Sequence, residues 1–291
     1  MLLLAALIWG TAFVAQSVGM DYVGPFTFGA VRNLIGGLFL IPCIFLLKKM
    51  GVTKSEERKV YDRKTLLKGG LCCGVALAIA SSLQQIGLQY TSVGKGGFIT
   101  ALYVVIVPIC GLFFHKKVPL PVWGCVALSL VGMYLLCVSG SSALNVGDIL
   151  MFFSAIAYTG HILIIDHFSP KVHGVKLSCL QFLICGVICA VPMLLLEHPQ
   201  VQLILNAWLP ILYAGILSSG VAYTLQIIGQ GRTNPTIAVL LMCMESVFSA
   251  VSGWIILGES MSAKEIFGCL LMFAAIVLAN LFGGDSTEEK A

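Results

Sequence analysis

One carboxylate, Glu245, stands inside the apolar run LLMCMESVFSAVSGWIILGES at 240–260. A carboxylate can carry a proton, hold a cation or anchor a hydrogen bond, and at mid-depth in oil it costs about 2.5–3.5 kcal/mol. It is therefore expected either neutral or partnered. Ser249 and Ser252 share its helical face and Gly253 is close, while Trp254 falls on the opposite side. Arg32, in AVRNLIGGLFL, is the matching oddity of opposite sign. It would draw an anionic or carboxylate-bearing solute into a cavity, or else snorkel to the nearby end of its helix. His161 is a lone imidazole on an apolar stretch, where a satisfied interior histidine is the commoner role than a relay. Arg32, His161 and the buried glutamines are the candidate partners of Glu245.

Uncharged polar residues fall into stripes. Ser219, Tyr223, Gln226 and Gln230 recur at helical spacing, as do Ser81, Gln85 and Gln89, with Ser82 and Gln84 beside them. Ser154, Tyr158 and His161 share one face, and Trp9 and Gln16 lie two turns apart. Single serines serve well as interhelical hydrogen-bonding glue, worth about 0.6 kcal/mol each. Long amides with tyrosines on two stripes are better suited to lining a wet path. Trp9, Tyr103 and Tyr158 add flat apolar surface and cation–π capacity.

These residues need helices in lipid to hold them. Of the 291 residues, 58% are hydrophobic and 10% charged, against about 25% charged in soluble domains. Apolar runs long enough to cross a bilayer recur along nearly the whole chain. Ten spans are expected, at 2–18, 26–47, 66–88, 95–114, 120–138, 147–165, 175–195, 205–229, 235–257 and 263–283. The fold class is thus all-α and integral to the membrane, with only 48–65 as a long polar loop.

The basic residues set the orientation. With the N-terminus inside, fourteen Lys and Arg fall in inner loops and the tail, while only Lys95 and Lys264 fall outside. That bias predicts both termini in the cytoplasm of a cell-membrane (inner or plasma membrane) protein. The first span lacks a basic leader and a small-residue cleavage site, so a cleaved signal peptide is not expected. The eleven cysteines lie mostly in apolar runs without CxxC or Cys/His spacing, so they read as small packing residues rather than metal ligands.

The chain also repeats itself. LQQIGLQYTS (83–92) aligns with LQIIGQGRTN (225–234), WGC (123–125) with FGC (267–269), and Pro42 with Pro192. Residues 1–140 and 141–291 are thus expected to be two copies of a five-span unit. An odd number of spans forces the second copy to enter the membrane from the opposite side, an arrangement common in carriers. Under this alignment Glu245 maps to about Tyr103, so a paired-acid mechanism is not expected.

Trp9-Gly10, Arg32 in AVRNLIGGLFL, GKGGFITALYVVIVPICGLFF (94–114) and MESVFSAVSGWIILGE (244–259) resemble EamA-domain permeases of the drug/metabolite transporter superfamily. The resemblance implies ten helices around a central cavity and the export or exchange of small metabolites. The chain departs from the pattern at one place: Gly258-Glu259 follows the helix in the second half, and His115-Lys116 in the first.

The function expected is secondary transport of a small polar or amphipathic metabolite, such as an amino acid, by alternating access. Protons are the expected coupling ion, with Glu245 as the coupling group. The site is expected to comprise Trp9, Gln16, Arg32, Gln85, Tyr103, Tyr158, His161, Tyr223, Gln226 and Glu245. No HExxH, GxSxG or Walker-type motif is present, so an enzyme is not expected; a passive facilitator is the alternative. No cofactor, metal or nucleic-acid partner is expected. The partners are the solute, membrane lipid and protons, with an oligomer left open.

Overall fold

The structure, a computed structural model, describes residues 1–50, 62–91, 93–113, 119–137, 145–257 and 262–284. The basic residues Lys54, Arg58, Lys59, Lys116, Lys117 and Lys290 lie outside the described residues. So do both helix ends at which the halves depart, Gly258-Glu259 and His115-Lys116. Every regular element among the described residues is helical. Eight helical stretches of 18 to 26 residues are apolar enough to cross a membrane, and two shorter ones span Leu120–Leu135 and Ile266–Ala279. They fall where the ten spans were expected. Helices dominate because backbone groups in hydrocarbon can be satisfied only within the segment itself.

The first half runs α1 (Leu2–Met20), α2 (Pro25–Lys49), α3 (Arg63–Gly87), α4 (Val93–Thr100), α5 (Tyr103–Phe113) and α6 (Leu120–Cys137). The second runs α7 (Val146–Phe168), α8 (Gly174–Pro192), α9 (Val201–Asn206) and α10 (Trp208–Leu212). It continues with α11 (Tyr223–Gln230), α12 (Pro235–Met242), α13 (Glu245–Leu257) and α14 (Ala263–Gly284). A widened π-helical stretch, Tyr213–Ala222, links α10 to α11.

Polar turn residues start several of these helices. Asp62 accepts from the backbone N–H of Lys64 and Thr65 ahead of α3, and Asn145 forms a reciprocal capping box with Asp148 ahead of α7. Asn234 caps α12, whose first residue is Pro235. The cap of α2 comes from far along the chain: Glu197 accepts from Phe26 N at 2.8 Å and Thr27 N at 2.6 Å.

Two expected spans are broken in the middle. α4 and α5 meet at Ala101-Leu102, where Val104 N–H donates to Ala101 O at 3.0 Å. α12 and α13 meet at Cys243-Met244, where Ser246 N–H donates to Cys243 O at 3.1 Å. The two turns occupy equivalent places in the repeat. Neither contains glycine or proline, which is why hydropathy shows each as one run. A broken ladder is tolerated at membrane depth only inside protein or beside a cavity, and both breaks are interior.

The halves interlock through small residues. A Cβ on Gly37 would meet the Leu183 side chain at 2.7 Å, and a Cβ on Gly186 would meet Leu34 at the same distance. This reciprocal contact between α2 and α8 is what a pseudo-twofold axis between the repeats produces. α6 packs along α14, α3 along α7 and α8, and α1 along α13. Gly10 lets α1 approach closely enough that an added Cβ would lie 2.7 Å from Ser249 N and 2.8 Å from Glu245 O. The outer surface is apolar: Phe45, Phe113, Leu120, Leu209 and Ile255 are exposed on it. Gln16, Arg32, Gln84, Gln226 and Glu245 are buried inside. Of the striped residues, Gln89 is exposed.

Candidate functional site

The broken spans face one another at the centre. Tyr103 opens α5 and Glu245 opens α13, and the Tyr103 hydroxyl donates to Glu245 Oε1 at 2.8 Å. This corrects the expected partner of Glu245: neither Arg32, His161 nor a glutamine holds it. The repeat-equivalent residue does, because equivalent positions near a pseudo-twofold axis are brought together. Ser246, Ser249 and Ser252 continue the buried face beyond the acid.

Arg32 turns inward instead of snorkelling. It is 5% exposed, donates from Nη1 to Gln16 Oε1 at 2.9 Å and lies over the Phe28 ring at 5.7 Å. α1 supplies Gln16 and α2 supplies Arg32, so this contact ties the first two spans together at the cavity wall.

A third polar group joins four helices. Tyr223 of α11 donates to the Tyr158 hydroxyl of α7 at 3.5 Å. Tyr158 donates to Gln84 Oε1 of α3 at 3.2 Å, and Gln84 donates to Thr100 Oγ1 of α4 at 3.3 Å. The Tyr223 ring is held edge-on by Trp9 at 4.8 Å, Phe182 at 5.4 Å and His161 at 6.0 Å.

These groups enclose one cavity of about 500 Å³, its open mouth included. Trp9, Gln16, Arg32, Tyr103, Tyr158, Tyr223, Gln226 and Glu245 line it. Among the lining residues only Arg32 and Glu245 carry charge, and each is hydrogen-bonded to a neutral group rather than to the other.

Two residues named from the sequence are not among the lining. His161 is fully buried behind Tyr223, with Nε2 on Gln181 Oε1 at 3.1 Å. Gln85 is 1% exposed and neither of its amide atoms has a partner among the described residues; its neighbour Gln84 takes the place on the wall. The repeat alignment held the signal, since it pairs Gln84 with Gln226 and Gln85 with Ile227. Phe13, Thr100, Ile162, Ser218 and Met242 also line the cavity. They were not singled out, being ordinary residues of apolar spans.

The EamA-like transporter family profile matches this chain twice, over residues 1–138 and 145–281. The chain belongs to that family. An uncharacterized transporter of Archaeoglobus fulgidus is 31% identical to it, over 96% of this chain and 84% of its own. The uncharacterized inner membrane transporter YedA of Escherichia coli K12 is 21% identical, over 94% and 88%. A chloroplastic WAT1-related protein of Arabidopsis thaliana is 24% identical, over 95% and 68%. A crystal structure with 18% identity superposes with a TM-score of 0.72 over 97% of this chain and 98% of its own, which establishes a shared fold. This transporter is accordingly a multi-pass membrane protein of two related halves.

Proposed function

We propose that this transporter carries a small zwitterionic or amphipathic metabolite, an amino acid in kind, by alternating access around the central cavity. The observation that carries the reading is the pair of opposite charges, Arg32 and Glu245, on one cavity wall without contact between them. A solute carboxylate suits the guanidinium, whose planar fork favours bidentate pairing. A solute ammonium suits the Glu245 carboxylate, and the rings of Trp9 and Tyr223 favour a cation nearby. The reading extends to export or exchange in a cell membrane with both termini in the cytoplasm, supported by the bias of basic residues along the chain. Proton coupling through Glu245 belongs to the same reading, since Glu245 is the sole carboxylate among the cavity-lining residues.

Thermal-shift screening of purified protein against amino acids, their amides and their decarboxylated amines tests the solute. Zwitterions should stabilise the protein, and both singly charged analogues should stabilise it less. Equal stabilisation by the amide or the amine would reject the charge-pair reading. Uptake into proteoliposomes should saturate and show trans-stimulation, whereas ohmic flux would favour a passive facilitator. Glu245→Gln should abolish any dependence of uptake on a pH gradient; an unchanged pH profile would reject the coupling role.

A further inference from the structure

Beyond the cavity, one stripe of α11 carries polar groups that no neighbour satisfies. Gln226 lines the cavity and Gln230 follows one turn later on the same face; both are 2% exposed. Among the described residues Gln226 Oε1 and Gln230 Oε1 have no donor, and the buried hydroxyl of Ser169 just beyond them has no partner. The Gln230 amide reaches only Ile162 O, at 3.5 Å. Ser169 sits against the end of the stripe, since a Cβ on Gly231 would lie 3.3 Å from its Oγ. This end of α11 meets the start of α1: a Cβ on Gly229 would lie 2.9 Å from the Leu2 side chain. Oxygens that accept nothing in a dry interior are costly, and native proteins keep few without a reason.

The equivalent place in the first half is built differently. In the repeat alignment Gln226 matches Gln84, but Gln230 matches Leu88. Leu88 packs with Phe13, Ile99 and Met151 into a closed apolar cluster. The position one turn beyond Gln84 is therefore packed in hydrocarbon, while the one beyond Gln226 carries an unused acceptor.

We propose that Gln226, Gln230 and Ser169 form a second station for the solute, between the cavity and the membrane face that carries the start of α1. The station offers oxygen acceptors, so it takes the hydrogen-bond-donating ammonium end of the solute. It rests on the carrier reading above, yet its accessibility can be tested without any solute. Gln230→Cys and Gln226→Cys are each labelled in vesicles of either orientation, with a trimethylammonium-bearing and a sulfonate-bearing methanethiosulfonate reagent. The native chain, with its eleven cysteines, is the background, and Leu88→Cys is the control at the apolar position.

The expected result is cationic labelling of Gln230→Cys at least tenfold above background from the α1-start face, at least fivefold faster than anionic labelling, with Leu88→Cys at background. Labelling of Gln230→Cys at background overturns the station, whatever Gln226→Cys does on the cavity wall, and equal rates for the two reagents overturn its preference for donors. If Gln230→Cys does not fold, Ser169→Cys carries the same readout. The two readings fail separately. Absence of stabilisation by amino acids with cationic labelling retained rejects the zwitterion cavity, whereas stabilisation without labelling rejects the station. Gln230→Leu, which restores the residue of the first repeat, should lower the uptake rate at least tenfold while changing the solute's thermal shift less than twofold. Unchanged uptake would overturn the proposal.

Discussion

The fourth and ninth spans occupy the same place in the two halves, and they break at equivalent residues. Yet one presents a phenol there and the other a carboxylate, and these two groups bond to each other. The third and eighth spans differ more. α3 is one uninterrupted helix started by a side-chain cap, while its counterpart is assembled from α10, a π-helical stretch and α11. Duplication thus kept the break of the fourth and ninth spans in place while their chemistry, and the backbone of the third and eighth, diverged. The second half supplies the acid and Gln230; the first supplies the guanidinium and, at the place of Gln230, Leu88.

The largest effects should come from breaking the central asymmetry. Glu245→Gln should lower solute transport about 100-fold or more, since removing one member of a buried charge interaction costs about 2–5 kcal/mol. Tyr103→Phe should lower it about tenfold, because a hydrogen bond to a charged group contributes about 1.5–3 kcal/mol. Tyr103→Glu alone places two acids face to face and should be as damaging as Glu245→Gln. Combining it with Glu245→Tyr should regain at least part of the activity if the pair matters more than the half that bears it. Initial uptake rates into proteoliposomes order all four variants.

Packing across the axis comes next. Gly36→Ala would set its Cβ 2.7 Å from Gly215 O, a backbone atom, and should destabilise the protein by about 1–3 kcal/mol as overpacking does. Gly160→Ala, with nothing within 4 Å of the added Cβ, should leave the melting temperature unchanged. Equal melting temperatures for the two variants would mean that the halves are not locked at that contact.

A smaller asymmetry lies at the helix starts. Glu197, from the second half, caps α2 of the first, whereas the start of α8 has no side-chain cap. Glu197→Ala should cost about 1 kcal/mol, the usual worth of such a cap, read as a lower melting temperature in detergent.

The smallest effect concerns Asp62. Its bonds from the Lys64 backbone and the Thr65 side chain hold its carboxyl below the usual 3.8. A lowered value in the folded state adds stability above the unfolded value, and that stability is lost as pH falls through the folded one. Protection from hydrogen exchange in the first turn of α3, relative to the unfolded chain, should therefore fall only as pH drops below the ordinary carboxylate range, and Asp62→Ala should remove that dependence.

Much of this was legible in residue order. The ten spans follow from apolar runs, because hydrocarbon admits a charged residue only at a cost. The repeat follows from matched segments, and the inversion from an odd number of spans per unit. The prominence of Arg32, Glu245 and the Gln226 stripe was visible for the same reason that makes polar groups rare in lipid. The breaks at Ala101-Leu102 and Cys243-Met244 were not visible, since apolar residues fill both turns. The exchange of Gln85 for Gln84 on the wall was missed because adjacent residues differ only in which way the helix turns them.

Sequence by itself determined that this chain carries ten apolar spans in two related units, with Glu245 and Arg32 as the acid and the guanidinium set deep among them. Only the tertiary structure decided that Glu245 meets Tyr103, that Arg32 turns inward, and that His161 stands behind an aromatic ring. The reason is physical. Hydropathy acts on each residue against its solvent, one at a time, whereas a contact across a pseudo-twofold axis depends on where two distant helices place their faces together.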